Sequence, residues 1–342
     1  MSGSGSRFWW SLSSPLVCTA GLHLGGGWIA LGPLYLLCLI PLVDALWGHD
    51  RHNPIDGRVL EPSGGRDAAL WIWIPAQLSF LAFAAWRAEA FALVEWVGAA
   101  VAVGLVSGAG AITVAHELMH RPDKLSRGAA ELLMSTVAYA HFCSEHVHGH
   151  HRRVATPEDP ATSRLDESIY TFWPRSIVGG WRSARVHDRG WSRRHPQRLA
   201  PATRRRIVFA ALVAGAWLIG SWAGVGLLYM QAGVGVLLLE TINYIEHYGL
   251  VRERSDSGRY VRVQPHHSWN ASHRLTNALL FNLQRHSDHH ATASRPYWAL
   301  RHFDEVPQLP FGYATAFLVA LVPPLWKRIM NPRVHAWEAR GD

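Results

Sequence analysis

The chain has 342 residues, 49% of them hydrophobic and only 17% charged, with a formal net charge of +8. Its apolar residues fall in long blocks instead of the periodic patterns of a soluble core, which argues against an ordinary soluble domain. Cys18, Cys38 and Cys143 lie singly in apolar stretches, which excludes a disulfide framework and a tetracysteine metal site, and no phosphate loop or nucleotide motif occurs.

In chain order, Met1–Ser6 reads as a disordered tip without the features of a secretory signal. Apolar blocks then follow at about 8–24, 28–47, 70–86, 91–115, 206–230 and 231–249. Each approaches the length needed to cross a bilayer core as helix. The expectation is an all-α polytopic membrane protein, one domain over 1–342 with six transmembrane helices. The run from Leu132 to Cys143 is shorter than a span and suits a re-entrant or cytosol-adjacent helix. Trp9, Trp10, Trp71, Trp73, Trp217 and Trp222 fall near span ends, where tryptophan favours the membrane boundary. Asp44, close to the end of the second block, is expected at the interface beside a basic residue.

Charge orients the blocks. Thirteen arginines face five acids between Arg152 and Arg206, whereas the expected external turns at Gly25–Gly27 and Met230–Gly233 carry no charge. The positive-inside bias places loops 48–69, 116–205 and 250–342 in the cytoplasm, where they form a histidine-rich cap. The same basic surface would attract an acidic protein partner.

Of the 21 histidines, nine fall into four tight groups beside the blocks. His116 and His120 stand at i, i+4, the spacing that projects two imidazoles from one helix face towards one metal. His146 and His150 repeat that spacing, and His151 adds a neighbouring direction. His148 should point away and is excluded. His286, His289 and His290 form the third group, and His247 stands alone in Asn243–Gly249. Imidazole suits iron, zinc, copper or nickel. Nine ligands exceed what one ion can hold, so the count predicts a dinuclear site with four or five each. The string His116-Glu117-Leu118-Met119-His120 also spells the zinc-protease signature H-E-x-x-H. That reading leaves six or so clustered histidines without a task.

The strings HELMH, EHVHGHHRRVATPEDPATSR, NYIEHYGL and LQRHSDHHA, with PHHSWN between the last two, resemble the AlkB-type membrane alkane monooxygenases within the membrane fatty-acid desaturase and hydroxylase superfamily. The resemblance runs from about Pro41 to Pro332. Met119 and Arg121 stand where that family usually has glycine and lysine. The resemblance implies a bacterial inner-membrane enzyme with two non-haem iron ions on the cytoplasmic side. Its ligands would be His116, His120, His146, His150, His151, His247, His286, His289 and His290. It further implies hydroxylation of the terminal methyl of alkanes drawn from the bilayer lipid, with dioxygen and electrons from a rubredoxin fed by an NADH-dependent reductase. Arene-methyl hydroxylation of the xylene monooxygenase type and fatty-acyl desaturation are the neighbouring activities. Metal-bound histidines usually donate their other nitrogen to a carboxylate, which makes Glu117, Glu145, Glu246 and Asp288 candidates to orient them, with Asp159 and Asp166 weaker ones.

Overall fold

A computed structural model describes residues 5–54 and 64–340. Most of the expected tip and part of the expected loop 48–69 lie outside them. The described residues are helical, with no strands beyond isolated bridges such as His49 to His273. A 3-10 segment, Gly5–Leu12, leads into α1 (Ser13–Leu24). The chain then turns at Gly25, whose φ of 71° favours glycine, and continues through α2 (Gly26–Trp47), α3 (Gly64–Ala88) and α4 (Leu93–Met119).

Four helices among the described residues are long and apolar enough to cross a membrane: α2, Asp67–Ala88 within α3, α4, and a 47-residue helix, Pro201–His247. Large apolar side chains such as Leu34, Leu42, Leu46, Val94 and Leu218 stand exposed on them. A band of that kind suits lipid contact.

The 47-residue stretch is a hairpin. Its backbone leaves helical geometry at Gly220 and Ser221, and the rings of Phe209 and Tyr229 lie 5.5 Å apart. A straight helix would separate those residues by about 30 Å. The reversal therefore falls about ten residues before the expected turn at Met230–Gly233. Gly220 is required there, because a Cβ would collide with the carbonyl oxygen of Ala85 in α3. Just beyond that expected turn, Gly235 faces α4, where a Cβ on it would lie 3.4 Å from the Gly104 carbonyl oxygen.

Other expectations also shift. Trp73 is fully buried, donates to Ser11 Oγ at 2.7 Å and fills the notch left by Gly110; it does not mark a membrane boundary. Trp10, Trp217 and Trp222 are exposed. Asp44 is buried and accepts from the backbone N–H groups of Leu275 and Thr276 and from the Thr276 hydroxyl, so it caps a helix instead of pairing with a base. The run Leu132–Cys143 is split: α5 (Lys124–Thr136) ends before a turn at Ala138, and a new helical segment, α6, covers 142–153.

α7 (Ile169–Arg194) follows, then the hairpin, α8 (Pro201–His247). Beyond it come short helices α9 (Arg274–Leu279) and α10 (His286–Ala291), then α11 (Tyr313–Ala320) and α12 (Pro323–Glu338). The tail is fixed by aromatic packing. Trp326, Met330 and Val334 of α12 are buried in one cluster with Tyr244 and Tyr248, and Tyr248 donates to Asn331 at 2.8 Å.

Candidate metal centre

Close packing of small residues brings the ends of two helices together. The returning arm of α8 runs parallel to α4, with Gly104 beside Val234 and Gly108 beside Leu238. A Cβ on Gly104 would lie 2.5 Å from that of Val234 and 2.6 Å from the Gln231 carbonyl oxygen. Small residues at one helix face permit this approach. α4 then ends with His116 in its last turn and His120 just beyond it, and α8 ends on His247.

α6 contributes three histidines through a π turn, His146–His150. A π turn adds a residue to the helical repeat, so i and i+5 share a face where i and i+4 would in an α-helix. His146 consequently faces the same point as His151, while His150 faces a second point. In α10, His286 and His290 share one face and His289 turns to the other. His148 is exposed, near only the His187 ring, as the sequence reading expected.

Two groups result. His116, His120, His146, His151 and His289 form one, and His150, His247, His286 and His290 the other; within each, one ligand-type atom per residue lies within 4.8 Å of all the rest. All nine histidines singled out from the sequence are in these groups. The division differs from the spacing argument, because His146 and His150 do not share a group.

The donor chemistry fits metal ions. The Nε2 atoms of His151 and His146 are 3.0 Å apart, those of His289 and His151 3.1 Å, and those of His290 and His286 2.8 Å. Nε2 of His116, His120 and His247 are buried with no hydrogen-bond partner. Leaving such an atom unpaired costs roughly 1–3 kcal/mol, and a cation facing the converging lone pairs removes that penalty. Burial, reinforced by the neighbouring imidazole of His150, pushes the His120 pKa down to about 3. Burial and the neighbouring rings likewise hold His146, His151, His286, His289 and His290 well below the ordinary histidine value. Neutral imidazoles keep their lone pairs free for a metal.

The carboxylates sort differently from expectation. Glu117 pairs with Arg121 at 3.3 Å, and Arg121 grips Asp67 with two hydrogen bonds. Among the described residues Glu117 makes no hydrogen bond to a histidine. Glu145 accepts from Arg153 at 2.9 Å and lies under Gly149, and Asp288 binds Arg295 and Arg301. Asp166 is at the surface on Asn331. Glu246 does touch a histidine: its Oε2 lies 3.0 Å from His286 Nε2, and its Oε1 accepts from Tyr313 at 2.7 Å. Asp159, a weaker candidate from sequence because it lies farther along the basic loop, has the orienting geometry. Its Oδ2 meets His150 Nδ1 at 2.8 Å, behind the ring, and accepts from Thr162 at 2.6 Å. Asp159→Asn should weaken metal retention about 10- to 100-fold against a competing chelator. Retention equal to the parent would reduce Asp159 to a loop brace.

An apolar cavity of about 100 Å³ ends at His116, His146 and His286. Leu36, Leu37 and Ile40 of α2, Leu105 and Ala109 of α4, Leu238 and Ile242 of α8, and Phe317 of α11 form its walls. From α1 only Ser14 reaches it. On the outer side of His151 lies an open basin of about 400 Å³ lined by Arg152, Arg153, Arg252 and Arg262 among others.

A helical membrane-type fold, two buried polyhistidine groups and an apolar cavity leading to them define the class of membrane desaturase-like metalloenzymes. The fatty acid desaturase family pattern matches residues 91–320. Alkane 1-monooxygenase 2 of Pseudomonas aeruginosa is 38% identical, covering 97% of this chain and 89% of that protein. Alkane 1-monooxygenase 2 of Alcanivorax borkumensis is 39% identical over 96% and 90%. The xylene/toluene monooxygenase hydroxylase component of Pseudomonas putida is 26% identical over 95% and 89%. The chain belongs to the AlkB-type alkane 1-monooxygenase family, and it is an oxygen-dependent oxidoreductase.

Proposed function

We propose that this protein hydroxylates the terminal methyl of alkanes to primary alcohols, at a di-iron centre held by the nine grouped histidines. The observation that carries this reading is the apolar cavity ending on the two imidazole groups. An alkane offers no charge or hydrogen bond to grip, so selection of one end requires an apolar passage that presents it to the metals. Bound iron would supply the activation of dioxygen. The protein does the rest: leucines and Phe317 exclude water, Asp159 sets the His150 ring, and Glu246 with Tyr313 closes the polar end of the cavity. The higher identity to alkane monooxygenases than to the xylene enzyme favours alkanes over arene methyls.

In this reading the chain crosses the inner membrane six times, the α8 hairpin supplying the last two spans, with the histidines on the cytoplasmic side. The thirteen arginines of 152–206 support that orientation. Electrons come from a rubredoxin, itself reduced by an NADH-dependent reductase. The arginine-lined basin beside His151 supports docking of such an acidic carrier. Raising ionic strength should weaken the donor's apparent affinity steeply in steady-state turnover; indifference to salt would exclude electrostatic docking.

Incubation of octane or hexadecane with isotopically labelled dioxygen and reduced donor tests the reaction itself. A labelled primary alcohol is expected, together with about two irons per chain. An unlabelled alkene product would make the enzyme a desaturase, and a single zinc would overturn both.

A further inference from the structure

We infer that Glu240 delivers protons to the metal centre through a small polar cavity separate from the alkane passage. This rests on the hydroxylase reading, whose balance is R–H + O2 + 2 e− + 2 H+ → R–OH + H2O. The electrons come from the reduced carrier protein, one oxygen atom enters the new C–O bond, and the other leaves as water. The two protons must cross a protein shell that the apolar cavity keeps dry.

Glu240 lies in the returning arm of α8 and is buried. Ionisable groups at such depth are expensive and usually functional. No basic side chain pairs with it among the described residues. Its Oε1 accepts from Tyr139 at 2.8 Å, and its Oε2 from Ser176 at 2.6 Å and Asn243 at 3.3 Å. These groups line a cavity of about 10 Å³. That is about the room one water occupies. His141, Glu145 and His150 are the other titratable groups on it. His141 is partly exposed, yet its Nε2 is buried without a partner. Asn243 lines both this cavity and the apolar one, placing the carboxyl one side chain away from the alkane passage at its metal end. A carboxyl bracketed by two hydroxyls and a water-sized space can accept a proton on one oxygen and release one from the other. Glu240 touches none of the nine histidines through a hydrogen bond, so it acts as a relay.

The test compares the iron-loaded parent with Glu240→Gln and Tyr139→Phe. Positioned proton transfer typically contributes 10²- to 10⁴-fold. Glu240→Gln should keep its iron and its alkane KM, lose roughly tenfold or more in kcat, release hydrogen peroxide and change the solvent deuterium isotope effect. In reduced-minus-oxidised infrared spectra, a carboxyl band that shifts in heavy water should be present in the parent and absent from Glu240→Gln. Unaltered kcat and isotope effect in the iron-loaded variant would overturn the relay. If Glu240→Gln loses iron, Tyr139→Phe decides: loaded with a changed isotope effect it supports the relay, and loaded with an unchanged one it overturns it. Loss of iron from both variants makes Glu240 a structural tie, which overturns it too. A parent that binds iron but does not hydroxylate alkanes would instead fail the hydroxylase reading, and the infrared band would still report on the carboxyl.

Discussion

Replacing His247 with alanine is expected to remove most of the iron and depress alcohol formation by more than about 100-fold, beyond the loss typical of an outer-shell partner. This histidine is the least conspicuous of the nine in sequence, standing alone where the others come in clusters. In the fold it completes the group with His150, His286 and His290, and its Nε2 is buried with no other partner. The ring meets those of His150 and His290 edge-on, with centroids 4.9 Å and 5.0 Å away. Truncation leaves three imidazoles around a void. His148→Ala is the matched control, since that ring is exposed on the opposite side of α6 and should leave both iron content and activity intact. Iron analysis and product assay on the two purified variants separate the cases. Full iron and activity in His247→Ala would break the nine-histidine assignment.

The contrast between His247 and the α6 histidines shows what sequence spacing could and could not convey. All nine residues were recognisable because clustering beside apolar blocks is rare for a side chain that is otherwise scattered. Their partition was not, because the i, i+4 rule presumes an α-helix and a π turn changes the repeat without changing composition. The hairpin in α8 illustrates a related limit. Apolar character continues through Gly220 and Ser221, while the uncharged stretch Met230–Gly233 suggests the reversal; the glycine that matters is the one pressed against Ala85, a residue 135 positions away. Trp73 and Asp44 lie beyond the reach of sequence for the same reason, since the notch at Gly110 and the first turn of α9 are tertiary partners. Asp159 lies in a loop whose return to His150 depends on the bonds of Thr162 and Ala161, which a residue count does not disclose.

The cavity yields the second large effect, on substrate length. Ala109 lines the passage from the π turn of α4, seven residues before His116. At 1.5 Å per residue that is about 10 Å from the metal end. Ala109→Phe would place a ring in a space whose volume is about 100 Å³ and which Leu238 and Ile242 also line. An alkane longer than the remaining reach must pass the obstruction, whereas a short one can lie wholly on the metal side. Hexadecane kcat/KM should therefore fall by about 100-fold, a loss near 3 kcal/mol, with octane much less affected. Ala109→Leu should give an intermediate loss, and both variants should keep their iron because position 109 lies two helical turns before His116 on α4. The measurement is competition between hexadecane and octane in one vessel, which cancels differences in donor supply and enzyme amount. If both alkanes decline in parallel while iron is retained, the substrate reaches the histidines by another path, and α2, α4 and α8 enclose a packing void instead of a passage.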